Sequence, residues 1–156
     1  MEKDECQPFR FEYYKKLKSY LESRLKDGLE SKPVKYIEDF YVILCNLELE
    51  ESLDRNTREK INLTLNYFAS PIDVLPEAVF GTYGFYDDIC LSAHLIKEMY
   101  ERYNVEINKS RKMLGLFKGE TVVLPQLMKT IIEECCKKMN SEDFENLKHK
   151  FPEIFN

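Results

Sequence analysis

Apolar residues return every three or four positions through most of this chain, which is the spacing of a buried helix face. Tyr14, Leu17, Leu21 and Leu25 predict a first helix from Phe9 to about Lys26, with Lys15, Lys16, Lys18 and Arg24 between them and Asp27-Gly28 as a stop. A basic amphipathic helix suits a membrane surface or a partner. The interspersed acids Glu12, Glu22 and Asp27 favour an ordinary outer helix of a bundle. Pro33 suits the first turn of a second helix, Val34 to about Leu49, with Ile37, Phe40, Tyr41 and Leu44 as its stripe. Glu48, Glu50 and Glu51 read as its solvated end. Asn56 opens a third helix, with Glu59 at the capping-box position. Ile61, Leu65, Phe68 and Ala69 form one stripe, and Leu63 and Tyr67 a second, so this helix is expected to be central. It ends at Ser70-Pro71.

Asp87 or Asp88 opens a fourth helix that reaches about Tyr103, apolar along Ile89, Ala93, Ile96 and Tyr100 and again along Leu91 and Leu95. From Asn104 to Glu120 the periodicity weakens. Pro125 starts a long helix to Asn140 through Leu127, Met128, Ile131, Ile132, Cys135 and Met139. Ser141 is the expected N-cap of a short terminal helix to about Lys150, with Phe151, Ile154 and Phe155 anchoring the tail. Strand pairs, internal repeats and low-complexity blocks are not evident. The prediction is all-α: one domain over residues 1–156, a bundle of about five to six helices with a Pro/Gly-rich elbow between two central helices.

Composition narrows the class. A chain of 156 residues buries roughly 70% of its unfolded surface as one domain. Only 5 Gly and 6 Pro agree with helices rather than many short strands. The net charge of −5 argues against general nucleic-acid binding, which needs a basic surface. No signal-peptide pattern is expected in MEKDECQPFRFEYY, and no run of about 18 apolar residues predicts a membrane-spanning helix. Cys6, Cys45, Cys90, Cys135 and Cys136 show no C-x-x-C spacing, so reduced thiols and a cytoplasmic location are expected.

The stretch from Tyr67 to Asp88, YFASPIDVLPEAVFGTYGFYDD, concentrates the chemistry. It is apolar enough to be buried, yet Asp73, Glu77, Asp87 and Asp88 do not bury without partners or a metal. Each acid has a structural job available. Ser70 caps a helical turn with Pro71 at its first position and Asp73 three residues on, and Pro76 restarts a turn with Glu77 inside it. Gly81 and Gly84 allow the chain to reverse, and Asp87 and Asp88 meet unpaired N–H groups at the next helix start. The same acids also suit a metal site. Asp73 and Glu77 are four apart and share a helical face, and converging carboxylates call for Mg²⁺, Mn²⁺ or Ca²⁺. Such an ion holds a phosphate or activates water. Capping and turn chemistry is the preferred reading, because buried carboxylates satisfy themselves with backbone N–H groups.

Tyr67, Ser70, Pro71, Asp73, Pro76, Glu77, Gly84, Asp87 and Asp88 together resemble the signature of the YkvA-like family, a domain of unknown function. The resemblance covers a helix-elbow-helix segment over about residues 57–100. It implies a small helical hairpin without established chemistry, a type of segment often associated with membranes and found inside larger proteins. Glu77 stands where the family more often has aspartate, a change that loosens tight metal geometry more than it disturbs capping.

Elsewhere, His94 follows Asp88 by six residues and is a candidate proton carrier, although a packed structural histidine is the more ordinary reading. His149 is expected to face solvent. Lys109, Arg111, Lys112 and Lys118 form a basic run without base-stacking aromatics, hence a solvated segment. Two function classes follow. The first, preferred, is a non-catalytic module that docks a protein partner or a membrane surface through the elbow patch Val74, Leu75, Val79 and Phe80. The second is a divalent-metal protein, such as a phosphohydrolase of small molecules, with Asp73, Glu77, Asp87 and Asp88 as ligands.

Overall fold

A computed structural model describes residues 1–25, 34–69, 85–119 and 123–155. Seven α-helices and no strand occur among them: α1 (Pro8–Leu25), α2 (Ile37–Glu48), α3 (Arg55–Ala69), α4 (Tyr86–Leu114), α5 (Leu124–Lys138), α6 (Ser141–Lys150) and α7 (Pro152–Phe155). Single 3-10 turns at Lys3–Glu5 and Val34–Tyr36 precede α1 and α2. The all-α bundle read from the periodicity is the fold, with the four-residue α7 as an addition.

α2 is the innermost helix. Ile37, Phe40, Tyr41, Val42, Ile43, Leu44, Cys45 and Leu47 are all buried, and α1, α3 and α4 pack around it. The first turns of α4 are equally enclosed, with every residue from Tyr86 to Ala93 buried, and α5 lies along that helix. α3 departs from expectation. Ile61, Thr64, Leu65, Tyr67 and Phe68 form one buried face, while Leu63 is exposed, so α3 is amphipathic rather than central. α1 buries Tyr14, Leu17 and Leu21 against the core, which uses the apolar face a membrane-surface helix would need.

Several helix ends also differ. α3 starts one residue before Asn56 and is capped by Asp54, whose Oδ1 accepts the Thr57 amide at 2.9 Å and whose Oδ2 accepts the Thr57 hydroxyl at 2.8 Å. Glu59 pairs with Arg55 at 3.1 Å instead of closing a capping box. α4 runs past Tyr103, where a non-helical φ/ψ of −124°/30° marks a kink, to Leu114. Tyr103, Ile107, Ser110 and Leu114 continue the buried or half-buried face. Ser110 donates to Asn46 Oδ1 at 2.7 Å, so a hydroxyl occupies a core position. The helix stops at Gly115, whose φ of +64° is left-handed, while the Leu116 amide donates to the Arg111 carbonyl at 3.0 Å. Asn140, not Ser141, caps α6, accepting the Asp143 amide at 2.7 Å.

Glu48 is not a solvated end. Its side chain is 6% exposed and lies 3.1 Å from the Arg10 guanidinium, itself 2% exposed. Arg10 Nη1 also donates to Asn66 Oδ1 at 2.8 Å, and Asn62 Nδ2 to Glu48 Oε2 at 3.3 Å. This polar network joins α1, α2 and α3 and satisfies a charge pair that would otherwise be costly to bury.

Candidate functional site

The described part of the Tyr67–Asp88 motif is its two ends, brought together by α3 and α4. Tyr67 lies in the last turn of α3 and Asp87 in the first turn of α4. The Tyr67 hydroxyl donates to Asp87 Oδ2 at 2.7 Å, and the Asp88 amide donates to Asp87 Oδ1 at 2.9 Å. Asp87 and Asp88 are both 0% exposed. A carboxylate acceptor strengthens each of these bonds, and the helix N-terminus favours negative charge there. Phe85 is the N-cap residue and has no side-chain cap bond, so the aspartates act inside the first turn rather than as the cap. Ser92 Oγ closes the next turn by donating to the Asp88 carbonyl at 2.8 Å. Phe151 meets the Tyr67 ring edge-on at 5.0 Å, and Lys150 Nζ stands 4.9 Å from its centroid.

The remaining motif positions, Ser70, Pro71, Asp73, Pro76, Glu77, Gly81 and Gly84, lie outside the described residues, as does the patch Val74, Leu75, Val79 and Phe80. Among the described residues, no group of three or more His, Cys, Asp or Glu side chains is placed to hold a metal ion.

Among the described residues, His94 is placed against the C-terminal tail. Its ring packs against Phe155 at a centroid distance of 4.5 Å. Burial, with Lys97 and Lys148 nearby, lowers its pKa to about 4. Burial and these positive neighbours keep it a packed, neutral imidazole. His149 is exposed, as expected. Arg111 and Lys112 of the basic run fall in the last turn of α4, where cations oppose the negative helix end.

Cys6, Cys45, Cys90 and Cys135 are buried free thiols, and Cys136 is exposed. Burial pushes the Cys45 and Cys135 thiols far up, which keeps them protonated.

One hollow escaped the sequence reading. A cavity of about 520 Å³ is lined by Tyr14, Lys35, Glu38, Asp39, Met113 and Lys118, among others. Tyr14 donates to Glu38 at 2.6 Å, and Asp39 Oδ2 accepts the Phe117 amide at 3.0 Å. Phe117 has a φ of +56°, so Asp39 holds the left-handed residue that brings the chain back after α4. These acids therefore serve the fold, and only the distant contact of residues 39 and 117 reveals it.

The family model described as "Protein of unknown function (DUF1232)" matches residues 61–92, the end of α3 through the start of α4. The chain is also 25% identical over 109 residues to "Uncharacterized protein ORF9" of Methanothermobacter thermautotrophicus, covering 70% of this chain and 68% of that protein. No solved structure matches. The family match falls on the same segment as the buried Tyr67–Asp87 contact.

Proposed function

We propose that this chain is a non-catalytic helical interaction module, docking a protein partner or a membrane surface through the elbow between α3 and α4. The observation that carries this reading is the use of Asp87. Its two oxygens accept the Tyr67 hydroxyl and the Asp88 amide in a solvent-excluded position, which suits a brace for the elbow better than a group that meets substrate. The neutral His94 and the proton-holding Cys45 and Cys135 point the same way, since none is poised as a base or nucleophile near pH 7. The reading includes a YkvA-like assignment for the segment, one domain over residues 1–156, and a cytoplasmic protein that touches membranes peripherally. Cosedimentation with phosphatidylcholine–phosphatidylglycerol vesicles and capture of partners, each with wild type and Leu75→Asp, tests it. The variant should lose binding while keeping the wild-type melting temperature. Undiminished binding removes the patch from the account.

A second reading is favoured by two adjacent carboxylates at 0% exposure, directly after the segment that carries Asp73 and Glu77. Asp87 and Asp88 would join them around Mg²⁺, Mn²⁺ or Ca²⁺. Titration calorimetry with each ion decides this: saturable heat and a raised melting temperature support it, and a flat response at millimolar metal ends it.

A further inference from the structure

The C-terminal half of α4 carries apolar side chains that the bundle leaves in water. Val105 is 71% exposed and Met113 60%, and Leu49, at the end of α2, is 44% exposed. Val105, Lys109 and Met113 follow one another at four-residue steps, so they line one side of the helix, and Lys112 is exposed beside Met113. The core takes the other side of these turns, where Tyr103, Ile107 and Ser110 are buried. Leu49, Lys109 and Met113 share a hollow of about 230 Å³, whose wall includes Asn46 and Ser110, bonded to each other at 2.7 Å.

Charge sets this stretch apart. Residues 104–118 hold the cations Lys109, Arg111, Lys112 and Lys118 against one acid, Glu106, in a chain whose net charge is −5. Among the described residues, Lys109, Lys112 and Lys118 take part in no ion pair. The negative end of the helix accounts for Arg111 and Lys112 in the last turn. It does not account for Lys109, which lies before that turn, or for the exposed Val105 and Met113.

We propose that this face docks an acidic amphipathic segment of a partner protein. Val105, Met113 and Leu49 take its apolar anchors, and Lys109 and Lys112 take its carboxylates. Charge complementarity names the occupant: a basic, apolar strip on an acidic protein selects a partner with acids flanking apolar residues. A segment with discrete acids also fits better than an anionic membrane. Asp4 and Glu50 line the same hollow, and a uniformly anionic surface would be repelled there. A peptide sets its acids against the lysines alone and fills the hollow with one side chain. Met113 lies on the order of 40 Å along α4 from Asp87, at about 1.5 Å per residue. The site is therefore separate from the elbow and stands without it.

Selection of a random-peptide display library on the immobilised full chain tests this, followed by fluorescence anisotropy with the enriched peptides made synthetically. Enriched sequences should carry several Asp or Glu around apolar residues spaced three or four apart, and their binding should weaken as salt rises. Lys109→Glu with Lys112→Glu should weaken that binding at least about tenfold, and Val105→Ser with Met113→Ser should do the same. Both variants should keep the wild-type melting temperature, because the substituted positions are exposed. Lys16→Glu with Lys18→Glu, an equal change of charge at exposed positions on α1, should leave binding unchanged. No enrichment over bare resin, enriched peptides without an acidic excess, or binding that survives Lys109→Glu with Lys112→Glu overturns the proposal. An equal loss in Lys16→Glu with Lys18→Glu also overturns it, since attraction to charge anywhere on the chain would then suffice. Peptide binding lost in Leu75→Asp and kept in the α4 variants belongs to the elbow and overturns it too. If no peptide is enriched and the α4 variants lose cosedimentation with phosphatidylcholine–phosphatidylglycerol vesicles that wild type shows, the face belongs to a membrane and the proposal falls.

Discussion

Arg10 and Glu48 are charged residues set in hydrophobic registers. Arg10 precedes Tyr14, Leu17 and Leu21 on the buried face of α1, and Glu48 follows Leu44 by one turn on α2. Each charge in that register foretells a partner, but the sequence does not say which one. Removing one member strands the other. Arg10→Ala should therefore lower unfolding stability by about 3–5 kcal/mol in urea titrations, and Arg10→Met with Glu48→Gln should recover a large part of that loss. His94 makes a pH prediction. Its folded pKa of about 4 lies below the ordinary histidine value of 6.5, so the unfolded chain binds the proton first. Stability is full above about pH 6.5 and falls as pH drops towards 4, on the order of 1–2 kcal/mol once solvent screening of a half-buried group is allowed for. His94→Phe should flatten this part of the stability–pH curve measured by thermal unfolding.

At the scale of the element, α4 shows what terminates a helix and what does not. The weaker pattern after Asn104 predicts an end near Tyr103. The helix instead kinks at Tyr103, whose hydroxyl is held by Asp54, and continues until Gly115. Gly115→Ala should cost about 1 kcal/mol in thermal unfolding, since its φ is +64° and a Cβ there would stand 3.3 Å from Lys118 Cε. Caps were similarly displaced by a residue or two. Asp54 and Asn140 cap α3 and α6, where Asn56 and Ser141 had the right chemistry but sit inside the helices. Asn140→Ala should cost about 1 kcal/mol by the same measurement.

Across the whole molecule, the C-terminal tail returns to the family-matched segment. Phe151 is buried against Tyr67, and Phe155 lies on His94, so α7 closes over the α3–α4 contact. Phe151→Ala should destabilise the fold by about 3–5 kcal/mol in urea unfolding. It should also speed amide hydrogen exchange around Tyr67 and Asp87 more than around α2, because it opens the tail side of the bundle first. Among the described residues no helix is long and apolar enough to cross a membrane.

Helical periodicity alone determined the all-α class, six of the helices and the anchoring of the tail by Phe151 and Ile154, because repeating apolar positions state which face must leave water. The same reading located Tyr67, Asp87 and Asp88 as unusual, since acids in an apolar stretch announce that partners are needed. Who those partners are was a tertiary matter. Tyr67 and Asp87, Arg10 and Glu48, and Asp39 and Phe117 are far apart in the chain and meet only after packing. Local sequence records the cost of burying a polar group, whereas the long-range fold supplies the atom that offsets it.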